Sequence, residues 1–161
     1  VTLKHLSTIL LVLPSALLLG ALGFQYIGGL APCELCIDQR WPHLFAAIMG
    51  LAALSLLRKA GLAKVAISLG AIGMATSGAI AVFHSGIERK LWPGPSSCSN
   101  RIDPTLSPEE YLKAIEQAAV INCGEITWSL FGLSMANYNA LISLGAAAFI
   151  LWALMGGKLR D

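Results

Sequence analysis

Four cysteines carry the chemistry that this sequence can perform. Cys33 and Cys36 are two residues apart in the stretch PCELCIDQRWPH, residues 32 to 43. A loop that short keeps the sulfurs close and lets the pair open and close with little backbone movement. Cys-x-x-Cys motifs lower the pKa of one thiol, more so at a helix N-terminus, and the thiolate is the nucleophile of disulfide exchange. Haem attachment would need His at position 37, where Ile37 stands. Cys98 and Cys123 bracket a polar stretch of 24 residues. A Cys₄ zinc ribbon needs two close-spaced ligand pairs, and only one is present, so no metal is expected. Inert staples are the competing reading for both pairs. A Cys-x-x-Cys bridge closes a tiny loop and removes little chain entropy, which makes it a poor staple and a good redox switch.

The elements around these pairs belong to a bilayer. The chain has 161 residues, is 56% hydrophobic and only 12% charged, and has a mean hydropathy of +0.70. Soluble domains carry about 25% charged residues. A net charge of +2 gives no sign of nucleic acid. Four apolar runs approach the length of about 20 residues that a spanning helix needs, and their backbones must be helical to satisfy their own polar groups. The expected spans are 6–27, 41–57 (the narrowest fit), 65–83 and 138–155, joined by outer loops 28–40 and 84–137. The fold class is an all-α membrane protein, a four-transmembrane-helix bundle forming one domain over 1–161. Four greasy helices exclude a thioredoxin-like βαβ setting. The first run is longer than a signal-peptide core and lacks a clear cleavage site, so it is read as a retained span. Val1 suits removal of an initiator Met.

Charge orients the chain. Lys4, Arg58, Lys59, Lys64, Lys158 and Arg160 lie in short flanks on one side, where the positive-inside rule acts most strongly. Both termini and the 58–64 loop are therefore expected in the cytoplasm. All four cysteines then face the other, disulfide-permissive compartment, in a bacterium the periplasm. Between Cys98 and Cys123, SPEEYLKAIEQAAV predicts a short amphipathic helix. Ser107 is its N-cap, Pro108 its first residue and Glu110 the partner in a capping box. Leu112, Ile115 and Ala119 would line one face, on the membrane surface or against the other loop. Pro14 should bend the first span. Gly70, Gly73 and Gly78, with Ala71, Ala75 and Ala79, offer close helix approach.

The chain resembles the bacterial disulfide bond formation protein B (DsbB) family of inner-membrane thiol:quinone oxidoreductases. PCELCIDQR carries the P-C-x-L-C-x-x-x-R pattern. SSC at 96–98 and NCGEITWSLFGLSMANYNAL at 122–141 fall where the second pair and the last helix should begin. That family is itself the known example of a relay keeping the periplasm oxidising through quinone. The resemblance implies that a reduced DsbA-type thioredoxin-like protein attacks a Cys98–Cys123 disulfide through Cys98. Cys123 then attacks the Cys33–Cys36 bridge. Cys36 faces a membrane quinone, ubiquinone or menaquinone, through a thiolate–quinone charge-transfer contact, and Cys33 is the exchange partner. The activity would support disulfide formation in secreted proteins. A structural tetraspan protein with inert loop disulfides, and a paralogue serving a dedicated partner, are the alternatives.

The same resemblance implies a quinone-side role for Arg40 and His84. From the residues alone, Arg40 reads rather as an interfacial side chain snorkelling to headgroups, and an interfacial histidine without chemistry is the competing reading of His84. An unbroken helix would put Cys36 and Arg40 on one face. Pro42 opposes this, because it cannot donate to Asp38; a helix starting near Arg40, with Cys33 to Cys36 in a looser turn, is the other possibility. Trp41, Trp92 and Trp128 read as interfacial anchors. Glu34 and Asp38 should oppose a thiolate beside them.

Overall fold

The computed structural model describes residues 1–95, 98, 107–110 and 122–156. Four helices run most of its length: α1 (Leu3–Tyr26), α3 (Arg40–Ser55), α4 (Ala60–Glu88) and α5 (Met135–Met155). A short helix, α2 (Glu34–Asp38), precedes α3, and a small antiparallel hairpin of β1 (Ser129–Leu130) and β2 (Leu133–Ser134) precedes α5. α1, α4 and α5 are long and apolar enough to cross a membrane. α3 has 16 residues, about 24 Å at 1.5 Å per residue, short of the ~30 Å apolar thickness. The run expected at 41–57 is therefore the marginal one here too.

Most helix limits have local causes. The Thr2 hydroxyl accepts from His5 N–H and starts α1, two residues before the apolar run. Pro14 is buried inside α1, which continues through it. α4 outruns its expected span at both ends, reaching Glu88 rather than 83. Its last turns carry the His84 and Glu88 side chains, so the loop expected from 84 begins after Glu88. The hairpin is a departure from an all-α chain. Phe131 and Gly132 both have positive φ, 51° and 76°, as the two central residues of a hairpin turn with matching twist. Ser134 closes the hairpin and caps α5 by accepting from Asn137 N–H, so α5 starts at Met135 and not near 138.

α3 packs between α1 and α4, and α4 lies along α5; α1 and α5 touch far less. The core at one end contains Leu6, Leu10, Ala46, Ala53, Ala66, Ile67, Ala71, Met74, Ala147, Ile150 and Ala153. Small residues let these helices approach. A Cβ on Gly70 would sit 3.0 Å from Leu10, one on Gly73 3.0 Å from the Pro42 carbonyl, and one on Gly78 2.7 Å from Leu144. Of the small residues expected beside them, Ala71 is buried and Ala75 partly so, but Ala79 faces outward. The tightest crossing was not among those singled out. At Gly50 a Cβ would lie 2.5 Å from Leu11 N. Between Cys98 and Cys123, Ser107 and Glu110 form the capping box: Glu110 accepts from Ser107 N–H and Oγ–H, and Ser107 Oγ from Glu110 N–H. Residues 108–110 are helical. The face of Leu112, Ile115 and Ala119 lies outside the described residues, as do Lys158 and Arg160.

Candidate active site

Cys33 is the N-cap of α2, and its sulfur accepts from Cys36 N–H at 3.2 Å. α2 ends at Gln39 because Pro42 has no N–H to carry the ladder onward. Gln39 N–H turns back to the Leu35 and Ile37 carbonyls, and α3 starts afresh at Arg40 with Pro42 in its first turn. Of the two arrangements open in the sequence, the broken one is found. The Cys33–Cys36 segment is nonetheless helical rather than a looser turn.

Cys33 and Cys36 are free thiols, and Cys98 and Cys123 form a disulfide. The pairs are not remote. Cys33, Leu35, Ile87, Cys98 and Cys123 form one buried apolar cluster, with Cys36 packed against it. His84, on the last turns of α4, lies between the pairs. Its Nε2 is 3.6 Å from Cys33 Sγ and 3.2 Å from the Cys123 carbonyl oxygen. Its Nδ1 faces Gln39 Nε2 at 3.1 Å. An amide nitrogen only donates, so Nδ1 accepts and Nε2 carries the proton. A ring nitrogen of His84 and the sulfurs of Cys33 and Cys36 lie within 4.8 Å of one another.

The two thiols are unequal. A hydrogen bond from Cys33 holds the Cys36 thiol below its ordinary value, and the nearby Arg40 guanidinium acts in the same direction. Burial and the Glu88 carboxylate oppose this. Cys33 is pushed far up, first by its hydrogen bond with Cys36 and then by burial. Cys36 is thus the more acidic thiol of the pair, and Cys33 the one that holds its proton. Glu34 and Asp38, expected to oppose a thiolate, are exposed, where water screens them. The carboxylate that does act is Glu88, from another helix.

Beside the thiols lies a cavity of about 350 Å³. It occupies the seam that α1 and α5 leave between them. Leu17, Gly20 and Phe24 of α1 face Met135, Tyr138 and Asn139 of α5, and Cys33, Cys36, Arg40, His43, His84 and Glu88 line its polar side. Arg40 is held by donating from Nη1 to Gln25 Oε1 at 2.6 Å. Trp128 tilts between Phe24 and Tyr138, at centroid distances of 5.1 and 6.1 Å, and forms part of the wall.

Behind the cavity runs a buried polar network. Asn139 Nδ2 donates to Gln39 Oε1 (2.7 Å) and Ser77 Oγ (3.2 Å). Ser77 Oγ–H donates to the Gln39 carbonyl, and His43 Nε2 lies 2.9 Å from both Ser77 Oγ and Asn139 Oδ1. Glu88 accepts from the Ser134 hydroxyl, which ties α4 to the start of α5.

The family model described as "Disulfide bond formation protein DsbB" matches residues 4–153. The chain belongs to the DsbB family. Disulfide bond formation protein B of Methylococcus capsulatus is 37% identical over 145 residues, covering 85% of this chain and 85% of that protein. Its namesake in Pseudoalteromonas translucida is 34% identical over 134 residues (81% and 77%), and that in Azoarcus sp. 30% over 151 residues (91% and 89%). No solved structure matches.

Of the residues singled out in this DsbB-family sequence, Cys33, Cys36, Arg40 and His84 converge on the cavity. Cys98 and Cys123 lie behind it, in contact with Cys33 through the apolar cluster. Sequence reasoning missed Gln39, His43, Ser77, Glu88 and Asn139. Their signal was present but weak: polar side chains inside or at the edge of apolar runs. Two of the three tryptophans also differ from simple anchors. Trp92 folds over Gly86, stacks on Phe83 and donates to its carbonyl, and Trp128 walls the cavity, while Trp41 is exposed.

Proposed function

We infer that this chain is a membrane thiol:quinone oxidoreductase that reoxidises a DsbA-type periplasmic dithiol protein. In this reading all four long helices cross the inner membrane of a bacterium, both termini are cytoplasmic, and the cysteines face the periplasm. The partner's thiolate attacks Cys98, forming a mixed disulfide and releasing Cys123. Cys123 attacks the oxidised Cys33–Cys36 bridge, and a second partner thiol resolves the mixed disulfide. Rearrangement restores Cys98–Cys123 and leaves Cys33 and Cys36 reduced. These two thiols then give two electrons and two protons to ubiquinone or menaquinone, forming quinol and the Cys33–Cys36 disulfide.

The observation that carries this reading is the cavity. It lies at the loosest helix seam, where a lipid-soluble molecule has lateral access, and the low-pKa thiol Cys36 and the Arg40 guanidinium share its wall. Its volume and its mostly apolar lining with a few polar groups suit a small ring-bearing ligand. The cationic Arg40 is placed to favour negative charge on sulfur and on an acceptor oxygen. His84 bridges the two pairs and supports transfer between them.

The test is anaerobic mixing of the purified protein with a reduced DsbA-type protein and ubiquinone, following quinone absorbance. Loss of one quinone per partner disulfide formed is expected. Cys33→Ser and Cys98→Ser should accumulate normally and abolish turnover. Full turnover in both would overturn the reading, whereas failure to fold would favour structural staples.

A further inference from the structure

Among the described residues, two buried side-chain nitrogens lack a protein partner: Arg40 Nε and His43 Nδ1. They belong to residues three apart on α3, neighbours on one helix face, and both residues line the cavity. His43 is only 4% exposed. Buried polar atoms are nearly always satisfied, so two orphans on the wall of one cavity point to a ligand that satisfies them.

What His43 offers that ligand follows from the other side of its ring. The Ser77 hydroxyl spends its proton on the Gln39 carbonyl, so its oxygen meets His43 Nε2 as an acceptor. Asn139 is oriented by the bonds its Nδ2 donates and by the Ser143 hydroxyl donating to Oδ1 at 2.7 Å. It therefore also presents an acceptor, Oδ1, to Nε2. Facing two acceptors, Nε2 carries the proton, and Nδ1 of the neutral ring is a bare lone pair. That atom matches a hydroxyl donor rather than a carbonyl.

We propose that His43 is the proton-exchanging contact of the cavity: Nδ1 accepts the O–H of a bound hydroquinone and, as imidazolium, supplies that proton to the quinone oxygen. This rests on the quinone reading above. In the forward direction the Cys36 thiol proton first passes to His43. The Cys36 thiolate and the Cys33 thiol then become a disulfide, releasing two electrons and one proton. With the proton from His43 these convert quinone to quinol and leave the ring neutral. Arg40 stays cationic throughout and donates. The charged and titratable groups that line the cavity with His43 are Arg40 on α3, His84 and Glu88 on α4, Cys33 and Cys36 by α2, Glu125 ahead of the hairpin, and Tyr138 on α5.

The experiment compares a short-chain ubiquinol with its di-O-methyl ether, which has no hydroxyl to donate. Anaerobic calorimetry measures both against the wild-type protein, His43→Gln, which keeps a donor where Nε2 stood, and His43→Leu, which has no acceptor. Wild type should bind the quinol about tenfold more tightly than either variant does, with the ether unaffected by substitution. Attack by the reduced partner on Cys98–Cys123 should keep its rate. The acid limb of quinone reduction should flatten in both variants. Equal weakening of quinol and ether, or unchanged quinol affinity, overturns the role of His43 alone. A wild-type protein that binds neither quinol nor quinone overturns the acceptor reading as well.

Discussion

The two ends of the bundle use the same helices differently. At one end Leu6, Leu10, Ile67, Met74 and Ile150 are wholly buried and the joins are sealed by small residues such as Gly50 and Gly70. At the other end α1 and α5 stand apart, and directional bonds among Gln39, Ser77, Asn139 and the histidines replace close packing. Many small dispersion contacts hold the first end, and they tolerate any side chain of the right shape. The polar end depends on particular donors and acceptors, each costly to orphan. The packed end requires shape rather than particular chemistry, which leaves the other end to hold the cavity and the pair of sulfurs.

Substitutions can separate the ends. The largest effect should come from Cys36→Ser, with quinone reduction down more than about 10³-fold and the thermal midpoint in detergent nearly unchanged. At the packed end, Leu10→Ala should cost about 2–5 kcal/mol of stability while leaving the ratio of the partner and quinone half-reactions at its wild-type value. A changed ratio would mean the ends are coupled. Gly50→Val places a side chain against the α1 backbone and should cost about 1–3 kcal/mol or more by the same denaturation assay. Arg40→Gln removes a charge that lowers the Cys36 thiol. Its pKa should rise, so the acid limb of the rate profile moves to higher pH and the loss is greatest at acidic pH; the loss that persists above the shifted pKa measures the part Arg40 plays at the acceptor oxygen. The smallest effect on turnover should follow Ser134→Ala, which removes the cap of α5 together with a donor to Glu88 and should cost about 0.5–2 kcal/mol of stability. A large loss of turnover there would give Glu88 a part in the chemistry.

Much of this was legible along the chain because its causes are local. A run of apolar residues must be helical in lipid whatever surrounds it. Pro42 ends the hydrogen-bond ladder of α2 by its own covalent structure, and the Ser107–Glu110 capping box forms within one turn. The hairpin was less visible: only Gly132 marks it, and Phe131 beside it takes a positive φ that side chains rarely adopt. Glu88 was hidden for another reason. It was read as part of an outer loop, and only the extension of α4 carries it to the cavity wall.

The sequence by itself determined that this is a helical membrane protein of the DsbB pattern, with one close cysteine pair and one distant pair. Hydropathy and covalent spacing are properties of neighbours in the chain. The tertiary structure alone decided that His84 stands between the two pairs, that Cys36 and Arg40 share one cavity despite the break at Gln39, and that His43 ends with a lone pair to spare. The last depends on Asn139, 96 residues away. Which nitrogen of a ring carries its proton is settled by what packs against it, and no local pattern in the chain encodes that.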